Sequence, residues 1–320
     1  MQGSVSNVYL AMPNGAANYL TVVYRNSSLS SVIAAGGVYS TACSIVGTFG
    51  EFETTGAGSY SNNAASRGSA SCDYLLSAAQ VSAYNIDQVF SNAFPGCTSD
   101  TMWIDSAVLS AVQSSKTSQV LSSPATATAS ANATAIANAT SSTSASSTCT
   151  PLGPSATLAV SQNATACQYS NVFSAISALP NDNSPYTIKI MPGTYTEQIS
   201  ITRNGKVTLI GDSDDPSDYR SNKVTIRCSS GQLTSADKDE STPVLSVNKT
   251  GTSPDFAVYN IDFHNTYPQT ANTAALAADF YGIRFATYQC SFVGFQDTLL
   301  ANQGAQVFAG CYVEGSIDYI

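Results

Sequence analysis

The sequence predicts an all-β fold in which short parallel strands stack into a solenoid, with a disordered linker ahead of it. Three observations carry this reading. Beyond residue 153 the chain is a succession of apolar or alternating runs of four to seven residues, punctuated by Gly, Asn and Asp. Three of these runs, "YNIDFHN", "YQCSFVG" and "AGCYVEG", superimpose with Ile261, Cys290 and Cys311 in register, at offsets of 29 and then 21 residues. A sandwich or barrel would favour hairpin turns, yet this region holds one Asn-Gly pair, Asn204-Gly205.

The strand candidates run in order through "YTIKIMPGTYTEQISI", "KVTLIG", "KVTIRC", "FAVYNIDFHNT", "IRFATYQCSFVG" and "AQVFAGCYVEGSIDYI". One helix is expected before them, in "YSNVFSAISAL", with Val172, Phe173, Ile176 and Leu179 on one face. Upstream, 23 of the 27 residues from Ser122 to Thr148 are Ser, Thr or Ala. Such a stretch has too little large apolar surface to offset the entropy of ordering it. The composition therefore divides the chain into a β-rich segment 1–112, a linker 113–152 and a solenoid 153–320.

The chain has 320 residues, a net charge of −9 and only 10% charged residues. No cluster of Lys and Arg offers a phosphate-binding surface, which excludes nucleic acid as a partner. The acidic balance also disfavours a fully ionised polyanion, whereas an esterified one escapes the repulsion. No apolar run approaches the length of a membrane span. Five sequons, at Asn26, Asn132, Asn138, Asn163 and Asn248, and eight cysteines without zinc-type spacing suit a secreted glycoprotein. No signal peptide opens the sequence, so the chain is expected to begin inside a longer protein.

A coil of 21 residues makes Asp297 and Asp318 neighbours on adjacent turns, about 4.8 Å apart along the axis. Cys290 and Cys311 share the offset and are expected to stack, as a disulfide or as two small apolar groups. Two carboxylates so placed cannot both ionise cheaply, and one keeps its proton to higher pH. An acid and a nucleophile then arise from identical side chains, as ester or glycoside hydrolysis requires. Gln296 adds an amide donor beside them, suited to a developing oxyanion.

"GFQDTL" and "YVEGSIDYI" resemble the two signature blocks of the pectinesterase (pectin methylesterase) family, and "MPGTYTEQISI", "VTLIGD" and "NIDFHNT" occur upstream in the family's order. The resemblance covers residues 157–320, the N-terminal two-thirds of the catalytic domain, and implies a right-handed parallel β-helix, here incomplete. It implies hydrolysis of pectin methyl esters to methanol and free carboxylates by a secreted enzyme, monomeric when complete, without metal or cofactor. By resemblance Asp318 is the nucleophile, Asp297 protonates the leaving methanol and then activates water, and Gln296 stabilises the oxyanion. Ile317 and Tyr319 are expected to line the sugar cleft. A second oxyanion glutamine of the family falls at Ala274, which has no donor, with Asn272 nearby. An arginine that the family supplies further on is not reached by Ile320, so these 320 residues alone are expected to be inactive.

Residues 1–112 resemble the C-terminal part of the same family more weakly, through "VGTFGEFETTGAGS", Arg67 and "MWIDSAVL". Met12 and Asn14 there replace the arginine and tryptophan of the family's "GRPW" stretch. The sole histidine, His264, and Glu197 read as architecture, and the carboxylates of "GDSDDPSD" read as a solvated turn rather than a calcium loop. Alternatives to the esterase are a catalytically inactive pectin-binding β-helix and a pectate-lyase-like enzyme, which would need calcium and a basic residue.

Overall fold

The computed structural model describes residues 9–10, 19–39, 46–69, 71–85, 88–89, 101, 103–114, 153, 155–232, 238–248, 255–269 and 272–320. Met12, Asn14, residues 115–152 of the expected linker and the sequons at Asn132 and Asn138 lie outside these. The chain divides into two compact units, Met1–Thr101 and Met102–Ile320.

The first unit holds three parallel strands, β1 (Tyr19–Arg25), β2 (Val46–Phe52) and β3 (Asp73–Leu75), in the order β1-β2-β3. Tyr19 pairs with Val46, an offset of 27, and the left-handed residues Asn26 and Glu53 repeat that offset at the strand ends. Arg67 lies buried between Glu51 and Asp73, forming ion pairs with both. Burial pushes the Asp73 carboxyl up to about 6 against the opposing pull of Arg67. Arg67 is thus a structural ion-pair centre.

The second unit starts ahead of the boundary at 112 that composition suggests. Trp103 and Ile104 are buried, and the Asp105 N–H donates to Tyr288 Oη at 2.7 Å while Tyr259 Oη donates to Asp105 Oδ2 at 3.5 Å. Tyr259 and Tyr288 stack with ring centroids 4.5 Å apart, so the helix Ser106–Ser114 is held at its start by two coils at once.

Beyond it the strands are β4 (Thr157–Val160), β5 (Gln168–Tyr169), β6 (Tyr186–Ile190), β7 (Gly193–Thr196), β8 (Ile199–Ile201) and β9 (Val207–Gly211). They continue with β10 (Val224–Cys228), β11 (Leu245–Asn248), β12 (Asp255–Tyr259), β13 (Asp262–Asn265), β14 (Ala278–Tyr288), β15 (Ser291–Val293), β16 (Leu299–Ala309) and β17 (Tyr312–Glu314). All pair in parallel, coil upon coil, as a parallel β-helix. One face is the sheet β17-β15-β13-β10-β7. The long β14 joins two others, pairing with β11 at its start and with β12 at its end. Asp262 pairs with Ser291 and Ser291 with Tyr312, which reproduces the offsets of 29 and 21 read from the repeat. The strand "LSVN" of β11 was not among the candidates, because its apolar pattern spans only Leu245 and Val247.

The interior is lined by alternate strand residues in rows along the axis, such as Ile226, Phe263 and Phe292 on one face and Ile199 and Leu245 on another. Phe263 and Phe292 stack nearly parallel with centroids 5.6 Å apart, and Phe280 meets Phe292 edge-on. Coils change direction at left-handed residues. Asn260, Gln289 and Gly310 form one such column, at the same offsets of 29 and 21. Asparagine and glycine suit that conformation; glutamine there is strained and is held by the ladder on both sides.

The expected helix spans Val172–Ser177, ending two residues before the last apolar position of its pattern, Leu179. Its buried face is Val172 and Ala175, whereas Phe173 is 57% exposed, contrary to the pattern reading. Glu197 explains the rotation: its two carboxylate oxygens accept from the N–H groups of Val172 and Phe173 at 2.9 and 2.8 Å, anchoring the first turn. Glu197 is therefore helix-end architecture, as expected. In the "GDSDDPSD" turn, Asp218 pairs with Arg220 at 2.7 Å and Asp214 with Lys223.

Replacing Phe292 with Ala should remove one layer of the aromatic stack and cost about 3–5 kcal/mol, read as a lower urea midpoint. A second expectation concerns Asp279, which is buried beside Asn302 and holds its proton to about pH 6, chiefly through burial. An unfolded aspartate loses it near about 4, so the folded state binds more proton between these values. The contribution is fully present below about pH 4 and lost as pH rises through about 6. Asp279→Asn should flatten that fall, on the order of 2 kcal/mol, in urea unfolding at pH 4 and 7.

Candidate active site

The turn that follows β15 and the turn that follows β17 are stacked. Gln296 forms a parallel bridge with Ile317, the Asp297 N–H donates to Ile317 O at 3.0 Å, and the Leu299 N–H donates to Tyr319 O at 3.1 Å. Asp297 and Asp318 both take left-handed backbone conformations, with φ of 56° and 44°. Aspartate is one of the few residues other than glycine that tolerates this region. The shared conformation makes the two turns superimpose, and the side chains leave the coil at equivalent points. The structure thus brings together the two carboxylates that the 21-residue offset paired.

Their environments differ. Asp318 is exposed at the surface, while Asp297 is half-buried. Burial is the main cause that raises the Asp297 carboxyl above its ordinary range, followed by the charges of Asp239 and then Asp318, and opposed by a hydrogen bond from Gln296. The Asp318 charge therefore reaches Asp297 across the coil boundary. Asp239 comes from a short 3-10 turn, Asp239–Ser241, more than fifty residues earlier in the chain. Sequence reasoning missed it, because nothing in its local pattern marks a neighbour on another coil.

Gln296 is 8% exposed. Its Oε1 accepts from the Thr273 N–H at 3.1 Å and from Gln269 Nε2 at 3.3 Å, and its Nε2 lies 3.5 Å from Asp297 Oδ2. The amide nitrogen is thereby turned toward Asp297. Ser316 Oγ donates to Gln269 Oε1 at 2.5 Å and is shared with Phe295 O at 3.0 Å. Gln269, Thr273 and Ser316 were likewise not anticipated. Ala274 is buried, its carbonyl accepting from the Gln232 N–H, and its methyl offers no donor. Asn272 is exposed.

Ile317 is 46% and Phe295 43% exposed, so two apolar side chains flank the carboxylates at the surface, and Tyr319 is half-buried beside them. His264 lies on the outward side of β13, in a row with Arg227, Val293 and Glu314, away from the two aspartates in sequence and on a different part of the coil. Cys290 and Cys311 are free thiols, which settles the two readings of that pair against a disulfide. Burial drives the Cys290 thiol well up, and its hydrogen bond draws the Cys311 thiol down. Among the described residues no group of three His, Cys, Asp or Glu side chains is placed to hold a metal.

The pectinesterase family model matches residues 157–320, just over half of the chain and all of the β-helix from β4 onward. The chain belongs to the pectinesterase family. Probable pectinesterase A of Aspergillus fumigatus is 40% identical over 167 residues, covering 52% of this chain and 48% of that protein. Pectinesterase A of Emericella nidulans is 37% identical over 167 residues, with the same coverage of 52% and 48%. Among solved structures, the pectin methylesterase from Aspergillus niger shares 34% identity over 53% of this chain and 54% of its own, with a TM-score of 0.46. This pectinesterase chain spans about half the length of the curated relatives it matches.

Asp239→Asn should remove one of the charges that keeps Asp297 protonated. The Asp297 midpoint is expected to move down, followed by carbon-13 NMR titration of its carboxyl.

Proposed function

We propose that the protein hydrolyses methyl esters of pectin, releasing methanol and leaving free galacturonate carboxylates. The observation that carries this reading is the pair Asp297 and Asp318 on stacked turns, with the Gln296 amide nitrogen turned toward Asp297. The Asp318 carboxylate attacks the ester carbonyl carbon, and the electron pair moves onto the carbonyl oxygen, where the Gln296 N–H groups receive the negative charge. As the tetrahedral centre collapses, the carbon–methoxy bond breaks and the Asp297 carboxyl gives its proton to the departing oxygen, forming methanol. The galacturonyl group is then held on Asp318 as an anhydride. Asp297, now ionised, takes a proton from water, which adds to the galacturonyl carbon and frees both carboxylates.

Burial of Asp297 suits it to the acid role, because a raised carboxyl retains the proton that the first step consumes. Ile317, Phe295 and Tyr319 supply apolar surface on which a sugar face packs. The substrate is esterified, which agrees with a chain of net charge −9. Export as a glycoprotein fits the sequons of the described residues, Asn26, Asn163 and Asn248. A second reading rests on Ala274, whose methyl leaves the oxyanion with Gln296 as its side-chain donor: a β-helix that binds pectin without turning it over.

Methanol release from highly esterified pectin by the protein at its full natural length separates the two. The expected result is steady release that falls at least about a thousandfold in Asp318→Asn, which removes the nucleophile. Release no greater than in that variant, with pectin binding retained, would leave the binding reading. Formation of unsaturated, ultraviolet-absorbing product in place of methanol would point to a lyase.

A further inference from the structure

Around Gln296 the direction of every hydrogen bond is fixed by one group. The Thr273 backbone N–H can only donate, and it reaches Gln296 Oε1 at 3.1 Å. That contact decides which end of the Gln296 amide is oxygen, and so turns its nitrogen toward Asp297. Gln269 meets the same oxygen and must therefore present its own nitrogen, at 3.3 Å. Its oxygen then faces the other way, where the Ser316 hydroxyl donates at 2.5 Å. The resulting series Ser316, Gln269, Gln296, Asp297 has a single polarity. Its members come from the turns after β13, β15 and β17, three successive coils.

We propose that Gln269 is a positioning residue, which clamps the Gln296 amide so that its nitrogen stays turned toward Asp297. An amide held at its oxygen by Thr273 alone keeps rotational freedom about its terminal bond and shares its nitrogen with water. A second donor on that oxygen, itself fixed at the far end by Ser316, removes the freedom before any substrate arrives. Gln269 does not reach Asp297 in this arrangement. It acts through Gln296, and its removal should have no consequence once Gln296 is gone.

The catalytic consequence rests on the esterase reading; the clamp itself does not. The test is a carbon-13 NMR titration of Asp297 in four proteins: wild type, Gln269→Met, Gln296→Met and the double variant. Methionine keeps the volume and removes the amide. Each single variant should move the Asp297 midpoint up by roughly half a pH unit, because the N–H that favours the carboxylate is lost or loosened. The double variant should lie no higher than Gln296→Met alone. An unchanged midpoint in Gln269→Met, or additive shifts in the double variant, would overturn the proposal. Should Gln269→Met fail to fold, Gln269→Asn, polar but one methylene short, gives the same reading. In methanol release, Gln269→Met should lower kcat by about tenfold with KM nearly unchanged. If the wild type releases no methanol, the esterase reading falls, while the titration cycle still decides whether Gln269 is a clamp.

Discussion

Each coil of this β-helix satisfies its backbone by pairing in parallel with the coil before and the coil after, so the register between neighbours is fixed along the whole strand and into the turn that follows. The ladder pairing of Ser291 with Tyr312 and the separate bridge of Gln296 with Ile317 in the turn that follows both join residues 21 apart. A slip of one residue would turn Phe292 and Val313 outward and expose the aromatic stack. The apolar interior therefore holds the register, and the register holds the two aspartates side by side. Function on this scaffold is a by-product of how the core is packed.

That arrangement has an electrostatic cost, and the fold distributes it unevenly. Two carboxylates on adjacent turns repel, and placing one of them at half-burial raises its proton affinity while the other stays at the surface. Asp239 adds to the same repulsion from another coil. The left-handed backbone at both aspartates is a further strained feature at the same point, held in place by ladder hydrogen bonds on either side. In the first unit the opposite solution appears: Arg67 is buried between Glu51 and Asp73, and opposed charges offset the burial of each. A structural site neutralises its charges, whereas the candidate active site leaves like charges facing one another.

The repeat of Ile261, Cys290 and Cys311 was legible because strand stacking requires the same side chain type at the same place in each coil, and the observed pairings follow it residue for residue. Asp297, Asp318 and Gln296 were legible for the same reason, since they share that period or adjoin it. Phe173 was misread because helical periodicity alone does not fix how a short helix is rotated; Glu197, in the connection between β7 and β8 twenty-five residues after Val172, anchors its first turn.

Linear order thus determined the stacked-strand architecture, the coil length and the pairing of the two aspartates, because a solenoid converts a fixed interval along the chain into proximity in space. The unequal burial of those aspartates, the reach of Asp239 and the hydrogen bonds from Gln269 and Ser316 were decided only by tertiary structure. They depend on irregular turns between the strands, whose lengths vary from coil to coil, and no constant interval relates the residues they bring together.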